Sequence, residues 1–193
     1  SGKTTNITKR SDVDFQNKDF DRPVEKPTYG IGGWSEDGEW MMLNHKYDVY
    51  AFSLSSDKVI NLTQGLGDKE ETRFRLVQLD READGLDVSE PLLLSAYGEW
   101  TKQSGFYEVK VGKKPKALRY IDKSLGRPIK AKYADVVMYT EQTFEEFPDY
   151  WVSDLSFESP KRMTAANPQI ADFKWGKRVL VDYTDQRGNK LQA

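Results

Sequence analysis

The chain has 193 residues, 37% hydrophobic, 31% charged and 12% aromatic, with a formal net charge of −2. That length holds one domain with a real core or two small ones, and the near-neutral charge recommends neither nucleic acid nor an anionic membrane as a partner. Cysteine is absent, which excludes disulfides, thiolate metal sites and cysteine nucleophiles, and the only histidine is His45. A Ser–His–Asp triad or a multi-histidine metal site would have to rest on that one residue. No apolar run approaches transmembrane length, and the opening SGKTTNITKR carries no signal-peptide core.

Lys3-Thr4-Thr5-Asn6-Ile7-Thr8 resembles Lys58-Val59-Ile60-Asn61-Leu62-Thr63 position for position. Residues 1–8 are therefore expected to form an outer strand like the one at 59–63. Residues 9–28 read as a charged, proline-containing connector with Phe15 and Phe20 as anchors. The stretch 29–63 packs four strand signals into a short span: 30–35, 39–45, 48–54 and 59–63. Asp37-Gly38 supplies a tight turn between the first two, and Tyr47 to Leu54 is rich in aromatic and β-branched residues. One antiparallel four-stranded unit of this length is the size of a propeller blade. Gly30, Gly32 and Gly33 in its first strand would allow close approach of neighbouring backbones.

A second copy spans 72–120, with strands at 72–79, 91–97, 105–111 and 116–120 and an acidic excursion at 80–90. A third spans 128–164, with strands at 129–133, 135–140, 149–155 and 161–164. The third strands end at Leu54, Val111 and Leu155, which are 57 and 44 residues apart, and the outer strands end at Thr63, Tyr120 and Thr164, again 57 and 44 apart. Two landmarks that move together indicate one unit with variable insertions. Residues 165–193 break the pattern. Phe173–Gly176 reads as a short strand, and Arg178–Thr184 with Lys190–Gln192 as a hairpin. The fold class expected is all-β, a partial β-propeller of about three blades.

These residues resemble the TolB-like and dipeptidyl-peptidase-type propeller units. The resemblance rests on Trp34-Ser35-Glu36-Asp37-Gly38, the apolar run Trp40–Leu43, Tyr47-Asp48-Val49-Tyr50 and the closing Asn61-Leu62-Thr63. The wider frame is similar to the prolyl-oligopeptidase (S9) family, above all to its large secreted or periplasmic members from Bacteroidetes-type bacteria. That frame comprises Asp21-Arg22-Pro23, Pro27 to Trp34, Met163-Thr164 with Asn167-Pro168-Gln169, and Val181-Asp182-Tyr183-Thr184 with Gly188-Asn189-Lys190-Leu191-Gln192. In that family a propeller precedes an α/β-hydrolase domain, which opens with such a hairpin. The resemblance implies that this chain is a piece of a longer protein, with Ser1-Gly2 a cloning remnant and the hydrolase domain beyond Ala193.

The family's nucleophile sits in a G-x-S-x-G elbow between a strand and a helix, and no such motif occurs here. Ser35, Ser95 and Ser153 fall in expected strands or turns. No residue is therefore assigned a catalytic, cofactor-binding or metal-binding role, and no cofactor is expected. His45 reads as a turn histidine. Glu70-Glu71 and Glu145-Glu146 match, in residue type alone, the glutamate pairs that hold a substrate ammonium, and read as solvated loop charges. Asp80, Glu82, Asp84, Asp87 and Glu90 lack the spacing of a calcium loop. The sequons Asn6-Ile7-Thr8 and Asn61-Leu62-Thr63 read as repeat structure. Tyr50/Phe52, Phe106/Tyr107 and Tyr150/Trp151 read as packing between units rather than a ligand platform.

The reading that follows is a non-catalytic propeller portion of an S9-type serine peptidase, gating peptide access to the active site. Its partners would be the hydrolase domain of the same parent chain and the parent's peptide substrates, in the periplasm or outside the cell. The isolated piece should be inactive, and its unpaired strand edges should favour dimers, strand swapping or ends that fold back. The alternative is a stand-alone TolB-like propeller that binds a protein or ligand. A carbohydrate-binding β-protein is a third reading, resting on aromatic content alone.

Overall fold

A computed structural model describes residues 2, 4–80 and 82–193. The first antiparallel sheet runs β1 (Ile31–Trp34), β2 (Trp40–Asn44), β3 (Val49–Ser53) and β4 (Val59–Asn61), with neighbours in the sheet following chain order. The turn after β1 is tied by Ser35, whose hydroxyl accepts from the Trp40 amide at 2.8 Å and donates to Asp37 at 2.5 Å. Gly38 completes that turn at φ 69°, a conformation that costs a glycine nothing. A short helix, α1 (Leu66–Glu70), leads to the second antiparallel sheet: β5 (Thr72–Leu76), β6 (Leu92–Gly98), β7 (Ser104–Val109) and β8 (Lys116–Ile121).

The chain divides into two compact units, residues 1–99 with 103–121 and residues 100–102 with 122–193. In the first unit the period-2 alternation of the strands decides the layering. Met42, Val49, Ala51 and Leu62 of the first sheet share one core with Phe74, Leu92, Leu94, Ala96, Tyr107 and Val109 of the second. Tyr107 lies edge-on to Phe74 and Tyr120, with ring centroids 5.0 and 5.6 Å away.

The alternate residues of β2 and β3 face the other way. Leu43 and Phe52 pack against Phe15 of the connector, with Ile7, Val13, Met41, Tyr50 and Val59 around them. The expectation that Tyr50 and Phe52 pack between units is therefore corrected. A strand's neighbours point to opposite faces, and Val49 and Ala51 already occupy the face toward the second sheet.

The expected outer strand at 1–8 is also corrected. Ile7–Arg10 is a 3-10 helix capped by Asn6, whose carboxamide oxygen accepts from the Thr8 amide and hydroxyl at 3.1 and 2.7 Å. Asn61 likewise accepts from the Thr63 amide at 3.0 Å, and its oxygen lies 3.0 Å from the Thr63 hydroxyl. The two similar sequences thus share a side-chain turn rather than a strand, because such a turn competes with the ladder for the backbone. Lys3 lies outside the described residues. Arg10 fastens this segment to the β3–β4 turn, donating to the Ser53 and Ser56 carbonyls at 2.8 and 2.6 Å and pairing with Asp57 at 3.0 Å.

The acidic excursion also docks on the first sheet. Leu86 forms a parallel bridge with Ser35; its amide donates to the Trp34 carbonyl at 2.8 Å, and its carbonyl accepts from the Glu36 amide at 3.1 Å. Gly85 must be glycine, since a Cβ there would lie 2.7 Å from the backbone of Ser35 and Glu36. Arg81 lies outside the described residues.

The second unit holds a five-stranded antiparallel sheet of β9 (Ser124–Leu125), β10 (Ile129–Lys130), β11 (Val136–Gln142), β12 (Asp149–Asp154) and β13 (Lys161–Arg162), in which both β9 and β10 pair with β11. The expected strand at 129–133 is shorter than anticipated, and β9 was not anticipated at all. Gly126 and Pro128 interrupt the edge: Gly126 leaves no room for a Cβ against Thr140, and proline cannot donate to a ladder. The buried aromatics here are Tyr139 and Phe157, 5.5 Å apart, while Tyr150 is 48% exposed. The aromatic pair Tyr150/Trp151 is thus not the core of this sheet. The expected strand at 173–176 is absent; a 3-10 helix, Pro168–Asp172, precedes it, and the Trp175 indole donates to the Phe144 carbonyl at 3.0 Å. The closing hairpin is β14 (Asp182–Thr184) with β15 (Lys190–Gln192), its turn held by Asp185, which accepts from the Arg187 and Asn189 amides at 2.8 Å each.

Two sheets share a clasp that was not anticipated from sequence. Asp48, at the start of β3, accepts from the Thr63 hydroxyl at 2.5 Å, and that hydroxyl oxygen accepts from the Val49 amide at 3.2 Å. Asp149, at the start of β12, accepts from the Thr164 hydroxyl at 2.7 Å, and Thr164 accepts from the Tyr150 amide at 2.9 Å. The separation is 15 residues in both.

Candidate functional site

The strongest concentration of unusual polar groups is the corner where the β2–β3 turn, residues 45–48, meets β5. The chain leaves the sheet here, and the His45 amide closes the turn on the Asp48 carbonyl at 2.9 Å. The His45 ring is enclosed edge-on by Phe15, Tyr29 and Tyr50, with centroids 6.0, 5.9 and 6.1 Å away. Burial lowers its pKa below 6.5, against the opposing pull of Asp48 and Asp68. Its Nδ1 is buried without a hydrogen-bond partner, and so is Oδ1 of the neighbouring Asn44, a residue 9% exposed.

Three cations approach this corner, and they are treated differently. Lys46 pairs with Asp19 at 3.0 Å and reaches Glu99 at 4.0 Å. Burial works against its charge, yet Asp19, Tyr47 and Glu99 outweigh that and raise its pKa. Tyr47 is pushed up to about 12, first by burial and then by Glu99. Arg75 of β5 donates to the Phe74 carbonyl at 2.6 Å and to the Lys46 carbonyl at 3.3 Å. Its pKa falls to about 10 through burial and the like charge of Arg73. Arg73 lies over the Tyr97 ring, 5.4 Å from its centroid. Among the described residues neither arginine pairs with a carboxylate.

The residues singled out from sequence do not assemble into one site. His45 does sit at a turn, but inside an aromatic cage rather than in solvent. Glu70 ends α1, Glu71 caps it at φ 48°, and both are exposed. Glu145 and Glu146 lie in the β11–β12 turn, where Glu146 pairs with Lys123. Asp80 and Asp87 turn on themselves, accepting from the Glu82 and Ser89 amides at 2.9 Å each. Among the described residues no three His, Asp or Glu side chains gather to hold a metal. Ser35 ties the β1–β2 turn, while Ser95 and Ser153 lie within β6 and β12. Arg75 went unnoticed in the sequence, where Thr72-Arg73-Phe74-Arg75 is an ordinary alternation.

No family profile and no curated protein sequence matches this chain. Among solved structures 18 chains match. One of them, from a structural and mechanistic analysis of two prolyl endopeptidases, aligns over 84% of this chain at 12% identity with a TM-score of 0.39. The alignment covers 30% of that protein's chain. This is a weak structural similarity to a prolyl endopeptidase, below the level that establishes a shared fold.

Proposed function

We propose that this chain is the non-catalytic propeller portion of an S9-type serine peptidase, in which each four-stranded meander is one blade. The observation that carries the reading is recurrence. Antiparallel meanders follow one another in chain order, and two of them close with an Asp–Thr clasp at the same 15-residue spacing. The Trp34–Gly38, Tyr47-Asp48 and Asn61–Thr63 signatures fall on the turn, strand start and strand end that such a blade requires. The hairpin of β14 and β15 then corresponds to the opening of the hydrolase domain.

In this reading the chain contributes loops that face peptide substrates and restrict access to short or flexible ones. The nucleophile, the acid and the catalytic histidine belong to the hydrolase domain of a longer parent, which works in the periplasm or outside the cell. A fluorophosphonate probe that labels activated serines tests this. The parent polypeptide should be labelled, and this chain alone should not. A folded parent that takes no label overturns the reading and leaves a TolB-like binding module. Labelling of this chain itself would place the chemistry within it and equally overturn the reading.

A further inference from the structure

We propose that the open edge of the closing hairpin pairs with the same edge of a second copy of this chain, about a two-fold axis at Leu180. The hairpin ladder fixes which backbone groups are free. Val181 and Ala193 exchange both of their amide–carbonyl hydrogen bonds, at 2.9 and 3.0 Å, so Val181 and Tyr183 turn their backbone groups toward β15. Leu180, Asp182 and Thr184 turn theirs away from it, because alternate residues of an antiparallel strand bond to opposite sides. Among the described residues, 178–180 find no backbone hydrogen-bond partner, and 178–184 are all exposed. None of them has a left-handed backbone, so the run can lie straight as a strand. No proline, glycine or lysine guards the edge between Val179 and Thr184.

Charge selects both the occupant and the register. In an antiparallel pair centred on Leu180, Arg178 of each copy stands opposite Asp182 of the other, and Val179 opposite Val181, so each pair occurs twice. Within this chain Arg178 meets no carboxylate among the described residues, and Asp182 receives the neutral Gln192 amide at 2.8 Å rather than a cation. A pairing centred on Asp182 would instead set two carboxylates face to face. The two faces of the hairpin point the same way. Val181, Tyr183 and Leu191 share one face and are exposed. Asp182, Thr184, Lys190 and Gln192 share the other, from which Gln192 donates to the Trp100 carbonyl at 2.8 Å. The apolar face is thus the one left to water. A lone two-stranded hairpin is marginal in water, whereas the dimer joins two hairpins into one four-stranded sheet, with the valines packed across the seam.

The proposal stands apart from the peptidase reading, since association is read on this chain and peptidase chemistry on a labelled serine. Sedimentation velocity of the intact chain over a range of concentrations should show a reversible monomer–dimer equilibrium. Arg178→Asp should weaken dimerisation about tenfold, because two attractive pairs become repulsive. Adding Asp182→Arg to that variant should restore it, because the exchanged charges meet again. Leu180→Pro should abolish it, since proline removes the amide at the axis and no hydrogen bond of the hairpin. Should Leu180→Pro fail to fold, the charge exchange at two exposed positions decides the matter. The chain has no cysteine, so Leu180→Cys reports the axis directly. Oxidation should link two copies, because Cα atoms of a hydrogen-bonded pair stand about 5.5 Å apart, within disulfide reach, whereas Thr184→Cys should not link. A chain that stays monomeric overturns the proposal and leaves the hairpin to a different molecule. A dimer that Arg178→Asp leaves unchanged, or that the double exchange does not restore, overturns it too and moves the interface elsewhere.

Discussion

The first sheet and the sheet of the second unit close with the same Asp–Thr clasp, yet they seal it differently. Asp48 is 2% exposed and receives, besides Thr63, the Gly67 amide at 3.0 Å and the Asp68 amide at 3.4 Å from α1. Thr63 is fully buried. Asp149 is also buried, but it receives the Ala166 amide at 2.8 Å and the guanidinium of Arg162, and its partner Thr164 is exposed. One clasp is sealed by neutral donors under a helix; the other is finished by a cation at the surface. The same two residues at the same spacing therefore make a core element in one place and an element finished by a surface ion pair in the other.

The largest break in that comparison should come from Asp48→Ala. It leaves the Gly67 and Asp68 amides without their acceptor and turns the Thr63 hydroxyl back onto Asn61, and about 2–4 kcal/mol should be lost in urea unfolding of the first unit, at about 1–3 kcal/mol per orphaned group with partial relaxation. A loss below about 1 kcal/mol would show that the clasp is ornamental.

Gly67→Ala should follow, with a sign opposite to helix propensity. A Cβ at Gly67 would lie 2.7 Å from Asp48 Oδ1 and 2.9 Å from the Tyr47 carbonyl group. Overpacking should cost about 1–3 kcal/mol where an exposed helical glycine would gain about 1. A stabilised Gly67→Ala protein would mean that α1 does not seat on Asp48.

Thr63→Val and Thr164→Val sharpen the contrast, since each removes only a hydroxyl. The first should cost about 1–3 kcal/mol and the second less than about 1 kcal/mol, because water can replace Thr164 but not Thr63. Equal losses would erase the distinction between the two closures.

The smallest effects are in pH dependence. Hydrogen bonds from Thr164 and Ala166, then Arg162, hold the Asp149 carboxyl below its ordinary 3.8. Its contribution is present above that value and is lost as pH falls through the lower folded value, so Asp149→Asn should flatten the acid limb of stability below about pH 4. His45 is also lowered, from 6.5, so the unfolded chain takes up its proton first as pH falls. Stability should decline from pH 7 toward pH 5, and His45→Phe should remove that slope, as read by thermal melts at each pH.

Much of this architecture was legible in the sequence, because strand alternation and turn chemistry are local. Val49-Tyr50-Ala51-Phe52 announces a strand buried on both faces, and Asp37-Gly38 and Gly188-Asn189 announce turns. What failed was assigning faces and partners. Phe52 looked like a unit-to-unit contact until Phe15 was seen to cover it. Leu86 and Gly85 hid inside an acidic run, though an apolar residue beside a glycine there was a signal. Asn6-Ile7-Thr8 imitated Asn61-Leu62-Thr63 so well in sequence that the shared feature, a side-chain turn, passed for a shared strand. The Arg75 corner left no trace, since an arginine's partners are invisible until the fold is known.

The sequence by itself determined the antiparallel meanders at 31–61 and 72–121 and the central strands of the third sheet, for these follow from a period of two and from residues that tolerate tight turns. It also determined that no cysteine chemistry operates within this chain. The tertiary structure alone decided which face of each strand met which layer, which of two identical clasps was sealed from water, and which cation was left without an anion. Those outcomes depend on burial and on neighbours distant along the chain, and neither is encoded in any local run of residues.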